Sequence, residues 1–235
     1  MYRANRAVPV PSFCDKIEIT KERIGVSELV ISSFHTHCKY CDGAGEPRAY
    51  VESAIRKGFR HLGFSSHAPI PFENEWTIKE EAVEEYLKTI RQLKTEFKND
   101  IEIYCGMEID YFTGDDRGIF KKYDLDFIIG SVHFFEDTPG GTCYSIDNTE
   151  DDFKRTLKEY FKGDMKAFAE AYYSRIKEMM RIHKPDIVGH FDIIKKNNSA
   201  EKFFSEKDAW YRELAVDALR CVKESGVILE INTGG

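Results

Sequence analysis

Residues 29–37 read Leu-Val-Ile-Ser-Ser-Phe-His-Thr-His. Leu29–His35, rich in β-branched and aromatic residues, has the composition of a strand and runs into the imidazoles of His35 and His37. Alternate side chains of a strand share a face, so His35 and His37 point the same way, a geometry suited to chelating one cation. The same event recurs along the chain. Candidate strands His61–Ser66, Ile101–Glu108, Phe127–His133 and Ile187–His190 run into His67, Glu108, His133 and His190, the last followed by Asp192. A sixth candidate strand covers Val227–Asn232.

Segments of helical period lie between these runs. One opens at Glu46-Pro47, continues through Lys57 and stops at Gly58, with proline in its first turn and glycine at its end, as helix ends prefer. Others cover Lys79–Lys98, Asp151–Phe161, Met165–Ile182 and Glu206–Glu224, while the polar stretch Lys195–Lys202 reads as a loop. Short strands alternating with longer helices predict βαβ units and a parallel sheet, an α/β fold. No internal repeat, low-complexity tract or linker marks a boundary. Residues 29–235 therefore read as one domain, preceded by an N-terminal extension, 1–28, without clear alternation.

The 235 residues suit a single core. Hydrophobic residues at 42% and charged residues at 32% exclude a disordered, collagenous or coiled-coil chain. A formal charge of −7 lacks the electrostatic footprint of a protein that binds extended nucleic acid. A small phosphorylated substrate is compatible with that charge, because a bound cation reverses the local potential. Six irregularly spaced cysteines read as reduced thiols. No apolar run approaches the roughly 18 residues of a membrane span, and Arg3 and Arg6 are not followed by the apolar stretch of a signal peptide. The expectation is a cytoplasmic protein without a membrane partner; the sequence leaves a homo-oligomeric state open.

In a parallel barrel the C-terminal strand ends converge on one face, so side chains far apart in sequence become neighbours there. That convergence turns His35, His37, Asp42, His67, Glu108, His133 and His190 into a candidate metal cluster. Imidazoles with carboxylates suit zinc, manganese or iron rather than calcium. Seven donors exceed the needs of one tetrahedral ion, so two or more divalent ions are expected, with Glu108 placed to bridge them. Paired ions about 3.5–4 Å apart support in-line phosphoryl displacement, which makes metal-assisted ester hydrolysis the expected reaction class. Glu108, Asp42 and Asp192 are the candidate catalytic carboxylates. Asp42 also fits a turn residue, and Asp192 a helix N-cap. His61 and His183 sit away from the converging ends and take no ligand role. Cys38-x-x-Cys41 is compatible with a structural zinc or a redox pair, but no second Cys-x-x-Cys accompanies it.

Six ordered stretches carry a family resemblance: Phe34-His-Thr-His-Cys-Lys-Tyr-Cys-Asp-Gly43, Leu62-Gly-Phe-Ser-Ser-His-Ala-Pro69, Gly106-Met-Glu-Ile-Asp-Tyr111, Gly130-Ser-Val-His-Phe134, Gly189-His-Phe-Asp-Ile-Ile-Lys195 and Leu229-Glu-Ile-Asn-Thr233. With them the chain resembles the polymerase and histidinol phosphatase (PHP) superfamily of metallohydrolases, more narrowly its monofunctional histidinol-phosphate phosphatases. The resemblance implies a distorted seven-stranded (β/α) barrel, a trinuclear metal centre and hydrolysis of L-histidinol phosphate. It carries metal binding onto His35, His37, Asp42, His67, Glu108, His133 and His190. The superfamily's Asp-x-His at a seventh strand has no counterpart before Gly235, so the barrel is expected to lack its last strand, with residues 1–28 as the spare segment that could cover the open edge. Lys195 and Arg117 are candidate phosphate contacts and Asp147 a candidate partner for the amine or imidazole of the substrate; each also fits an ordinary surface charge. The alternatives are a phosphoesterase acting on another small phosphomonoester or nucleotide, and a catalytically weak metal-binding protein.

Overall fold

Parallel pairing dominates the computed structural model, which describes residues 31–112, 122–138 and 141–232. Strands β1 (Ile31–Ser33), β2 (Phe59–Phe64), β3 (Glu102–Asp110), β4 (Phe127–Ser131), β7 (Ile187–Val188) and β8 (Ile228–Leu229) lie side by side in that order, each neighbouring pair parallel. The sheet curls. Phe34, just past one edge strand, and Ile228, in the other, pack on the same cluster of Tyr104, Phe127, Ile129 and Ile187. An added Cβ at Gly106 would stand 2.5 Å from the Phe127 ring, so glycine there admits the aromatic that fills the curl. The expected distorted (β/α) barrel short of one strand is therefore present, among the described residues, as an open six-stranded barrel. Arg117 and residues 1–28 lie outside the described residues.

Helices cover the outer faces. α1 (Pro47–Arg56) starts with Pro47, buries Val51 and Ala54, and is followed by Gly58 at φ +76°. α2 (Val83–Glu96) buries Val83, Tyr86, Leu87, Ile90 and Leu93, a 3–4 residue period that faces the sheet. α4 (Met165–Ile182) begins where the Asp164 side chain accepts the Ala167 amide at 3.0 Å and buries seven side chains, Phe168 and Tyr172 among them. α5 (Ala209–Ser225) packs on α4 and stops at Gly226, left-handed at φ +72°.

Several boundaries differ from the sequence reading. Residues 79–98 open with a 3₁₀ turn, Glu80–Ala82, before α2. The segment read as one helix over 151–161 is α3 (Glu150–Arg155) followed by a π turn, Thr156–Tyr160. There the buried Thr156 hydroxyl donates to the Ser145 carbonyl at 2.6 Å, a tertiary bond that competes with regular helical spacing. The stretch 195–202 read as loop begins at the end of one short 3₁₀ turn, Ile193–Lys195, and carries another, Ser199–Glu201. A hairpin of β5 (Phe134–Glu136) and β6 (Cys143–Ser145) was not expected, since three-residue strands leave too short a run to register as a period. No helix among the described residues is long and apolar enough to cross a membrane.

Candidate metal centre

Backbone pairing with β3 continues past the end of β2 and delivers the first side chains. The Glu108 amide donates to the Ser65 carbonyl at 3.1 Å, the Ala68 amide donates to the Glu108 carbonyl at 2.8 Å, and His67 bridges to Glu108 in parallel register. His35, two residues past β1, is aligned by the Ser65 amide, which donates to the Thr36 carbonyl at 3.0 Å. His133 stands two residues past β4. His190 stands two residues past β7 with φ +23°, a left-handed backbone whose amide donates to Glu230 Oε2 at 2.9 Å.

Glu108 is the hub of the cluster. Its carboxylate is 1% exposed. Oε2 lies 3.0 Å from His35 Nε2, 3.1 Å from His37 Nε2 and 3.2 Å from His67 Nδ1. Oε1 lies 2.8 Å from His190 Nε2 and 3.5 Å from His133 Nε2, and accepts the Ser131 hydroxyl at 2.6 Å. Asp42 Oδ1 is 2.7 Å from His37 Nδ1, and its other oxygen is 3.9 Å from His67 Nε2.

One anion surrounded by five rings calls for positive charge. Burial opposes charge on His35 and His133, yet Glu108 and Glu230 raise the first to about 9, and Asp110, Asp147 and Glu108 raise the second to about 10. His37 is raised as well, burial being overcome by Asp42, Cys41 and Glu108. His67 falls to about 4, because burial and the neighbouring His133 and His37 outweigh the Glu108 carboxylate. Burial would raise the Glu108 carboxyl, and the imidazoles hold it well below the usual carboxylate range. Among the described residues, the buried nitrogens His37 Nε2, His67 Nδ1 and His190 Nδ1 have no hydrogen-bond partner, although the first two crowd Glu108. Close approach of lone-pair donors without hydrogen bonds fits a set arranged around cations. Three groups of donors, His35–Glu108–His190, His37–Asp42–His67 and His67–Asp110–His133, each lie within 4.8 Å and could hold an ion.

Those geometries match a known architecture. The model of the PHP domain matches residues 33–234. The chain belongs to the PHP domain family. A histidinol-phosphatase of Bacillus subtilis is 31% identical over 219 residues, covering 86% of this chain and 80% of that protein. A crystal structure from Listeria monocytogenes, titled as a candidate histidinol phosphatase, shares the fold with TM-score 0.74 at 24% identity, over 87% of this chain and 83% of that one. A second, the histidinol phosphate phosphatase of Lactococcus lactis complexed with zinc, L-histidinol and phosphate, shares it with TM-score 0.60 at 22% identity, over 86% and 73%.

Within this PHP domain the remaining candidates spread along one cavity of about 830 Å³, which the metal-competent donors also line. Asp192 lies on its wall but belongs to none of the three donor groups; it stands at the N-cap position of the 3₁₀ turn without a capping bond and pairs with Lys195 at 2.7 Å. Lys195 also reaches Glu206 at 3.2 Å. Asp147 pairs with Lys196 at 3.4 Å on the same wall. Sequence reasoning missed two carboxylates. Asp110 Oδ1 is 2.7 Å from His133 Nδ1, and Glu230 Oε1 is 2.8 Å from His35 Nδ1 while its Oε2 accepts the His190 amide. The signal for Asp110 was its position two residues after Glu108, on the same strand face. Glu230 had a weaker one, a carboxylate at the end of the sixth strand. His183 is buried against the Tyr111 ring at 4.9 Å, and His61 accepts or donates at 2.8 Å to Ser32, both away from the cluster.

Proposed function

We propose that this PHP domain is a histidinol-phosphate phosphatase, hydrolysing L-histidinol phosphate to L-histidinol and phosphate. The observation that carries the reading is the buried Glu108 carboxylate facing five imidazoles in the lining of a large cavity. The Bacillus subtilis relative bears that activity as its name, and the Lactococcus lactis structure holds zinc with the two products.

His35, His37, Asp42, His67, Glu108, His133 and His190 would hold two or three divalent ions. Such ions, when bound, activate water and neutralise charge on the transferring phosphoryl group. The chain's own groups do the rest. Glu108 fixes the spacing of the donors. Asp110 and Glu230 set the tautomer and orientation of His133 and His35, as outer carboxylates do for ligating imidazoles. Lys195 is the candidate phosphate contact, held over the cavity by Asp192 and Glu206, and Arg117 is the second. Asp147 lies where a cavity of about 250 Å³ branches off, walled by Trp76 and Phe134, whose rings stack at 5.7 Å. An aromatic wall beside a carboxylate suits an imidazole ring and an ammonium group.

The test combines metal analysis with phosphate release. The chain should bind two or three divalent ions and turn over L-histidinol phosphate faster than other small phosphomonoesters. His67→Ala should lower both metal content and turnover. Equal turnover on a generic aryl phosphate, or a His67→Ala chain with full metal and activity, would count against the reading.

A further inference from the structure

Cys38 and Cys41 are the chemically reactive pair that the phosphatase reading leaves unused. Their turn is closed by the Cys41 amide, which donates to the Cys38 carbonyl at 2.9 Å. Such a turn brings its first and last Cα atoms within about 7 Å, overlapping the roughly 4.4–6.8 Å that a disulfide spans. Both thiols are free. The Ser66 hydroxyl lies 3.3 Å from Cys38 Sγ, and the Cys41 thiol folds back over the turn to donate to the Cys38 carbonyl at 3.5 Å. Cys38 is fully buried and Cys41 partly exposed, the arrangement of an entry thiol with a resolving partner behind it. Cys41 directly precedes Asp42 and Cys38 directly follows His37, so the turn sits between two candidate ligands, while neither cysteine belongs to a metal-competent group among the described residues. The loop has no slack, since a Cβ on Gly43 would stand 2.3 Å from the Cys38 amide nitrogen.

We propose that Cys38 and Cys41 form a reversible disulfide site at the rim of the metal centre, and that its oxidation reshapes the turn that joins His37 to Asp42 and disables the centre. The oxidant is a small disulfide such as oxidised glutathione. Cys41 attacks it, forming a mixed disulfide and releasing one small thiol. Cys38 then attacks the Cys41 sulfur; the Cys38–Cys41 bond forms, the bond to glutathione breaks, and the second small thiol leaves. Two cysteine thiols lose two electrons and two protons, and one small disulfide becomes two thiols.

The effect on turnover rests on the phosphatase reading, whereas bond formation and metal retention do not. The metal-loaded full chain is equilibrated in glutathione buffers of increasing oxidised fraction. Alkylation with peptide mass spectrometry reads the bond, and metal content and phosphate release read the centre. The expected result is a Cys38–Cys41 disulfide, accompanied by at least about a tenfold loss of metal affinity or turnover, the scale of disturbing groups that orient ligands, and full recovery with dithiothreitol. Cys38→Ala should keep basal turnover and accumulate a glutathione adduct on Cys41. The proposal is overturned if Cys38 and Cys41 stay alkylatable throughout. It is also overturned if the bond forms while metal content and turnover are unchanged, or if reduced Cys38→Ala loses a bound ion, which would make the thiol a ligand.

Discussion

Glu108 concentrates more chemistry than any other residue of the described chain. A buried carboxylate within 3.5 Å of five imidazole nitrogens is tolerable only because each neighbour supplies positive character, from protons or from cations. Glu108→Gln keeps the shape and removes the charge, so metal content should collapse and phosphate release should fall by at least about a hundredfold, the upper range for groups tuning a metal site. Retention of bound metal by Glu108→Gln would deny the hub role. Glu230→Gln probes the outer layer: it weakens the hold on His35 and the His190 amide, and should cost about 10–100-fold in metal affinity or activity with the fold intact by circular dichroism. The imidazoles and Glu108 were legible in the sequence because strand ends of a parallel barrel must meet. Asp110 and Glu230 were harder to read, because a carboxylate that orients an imidazole leaves no spacing of its own.

At the scale of elements, capping chemistry and burial period decided what could be read. Met165–Ile182 was legible to the residue because Asp164 caps its start and its buried residues recur every three to four positions. The segment after Thr149 misled because its π turn answers to a tertiary bond, from Thr156 to the Ser145 carbonyl, that local sequence does not announce. β7 and β8 are two residues each, shorter than the apolar runs that encode them, because the chain leaves the sheet early to deliver His190 and Glu230. The α4 interface should dominate stability on its side. Phe168 is fully buried and stacks on Phe153 and Phe161 with centroids 4.8 and 4.9 Å away. Phe168→Ala should therefore destabilise the fold by about 3–5 kcal/mol in denaturant titration. A cost below about 1 kcal/mol would mean that the cluster repacks freely.

Across the whole molecule, the centre is assembled from both halves of the chain. His35 and His37 come from beside β1, one sheet edge, and His190 and Glu230 from beside β7 and β8 at the other, so the rim closes through side chains where the described backbone leaves the sheet open. The His35–Glu230 contact joins residues 195 apart in sequence. Cations shared by those donors bind the folded chain and not the unfolded one, and an ion present at a hundred times its dissociation constant adds about 2.7 kcal/mol. For a domain of this size that corresponds to a fall in Tm of about 5–10 °C on chelation, readable by differential scanning calorimetry. The loss should also be local. Hydrogen exchange should speed up around His35–Asp42 and around Val188–Glu230, because those segments meet through the centre, and stay unchanged along the last turns of α2, where Arg91 and Lys94 hold Asp124 and Asp126 ahead of β4, at the strand ends away from the centre. Uniform acceleration over α2 as well would mean that the ions stabilise the fold as one cooperative block and do not clasp its two edges.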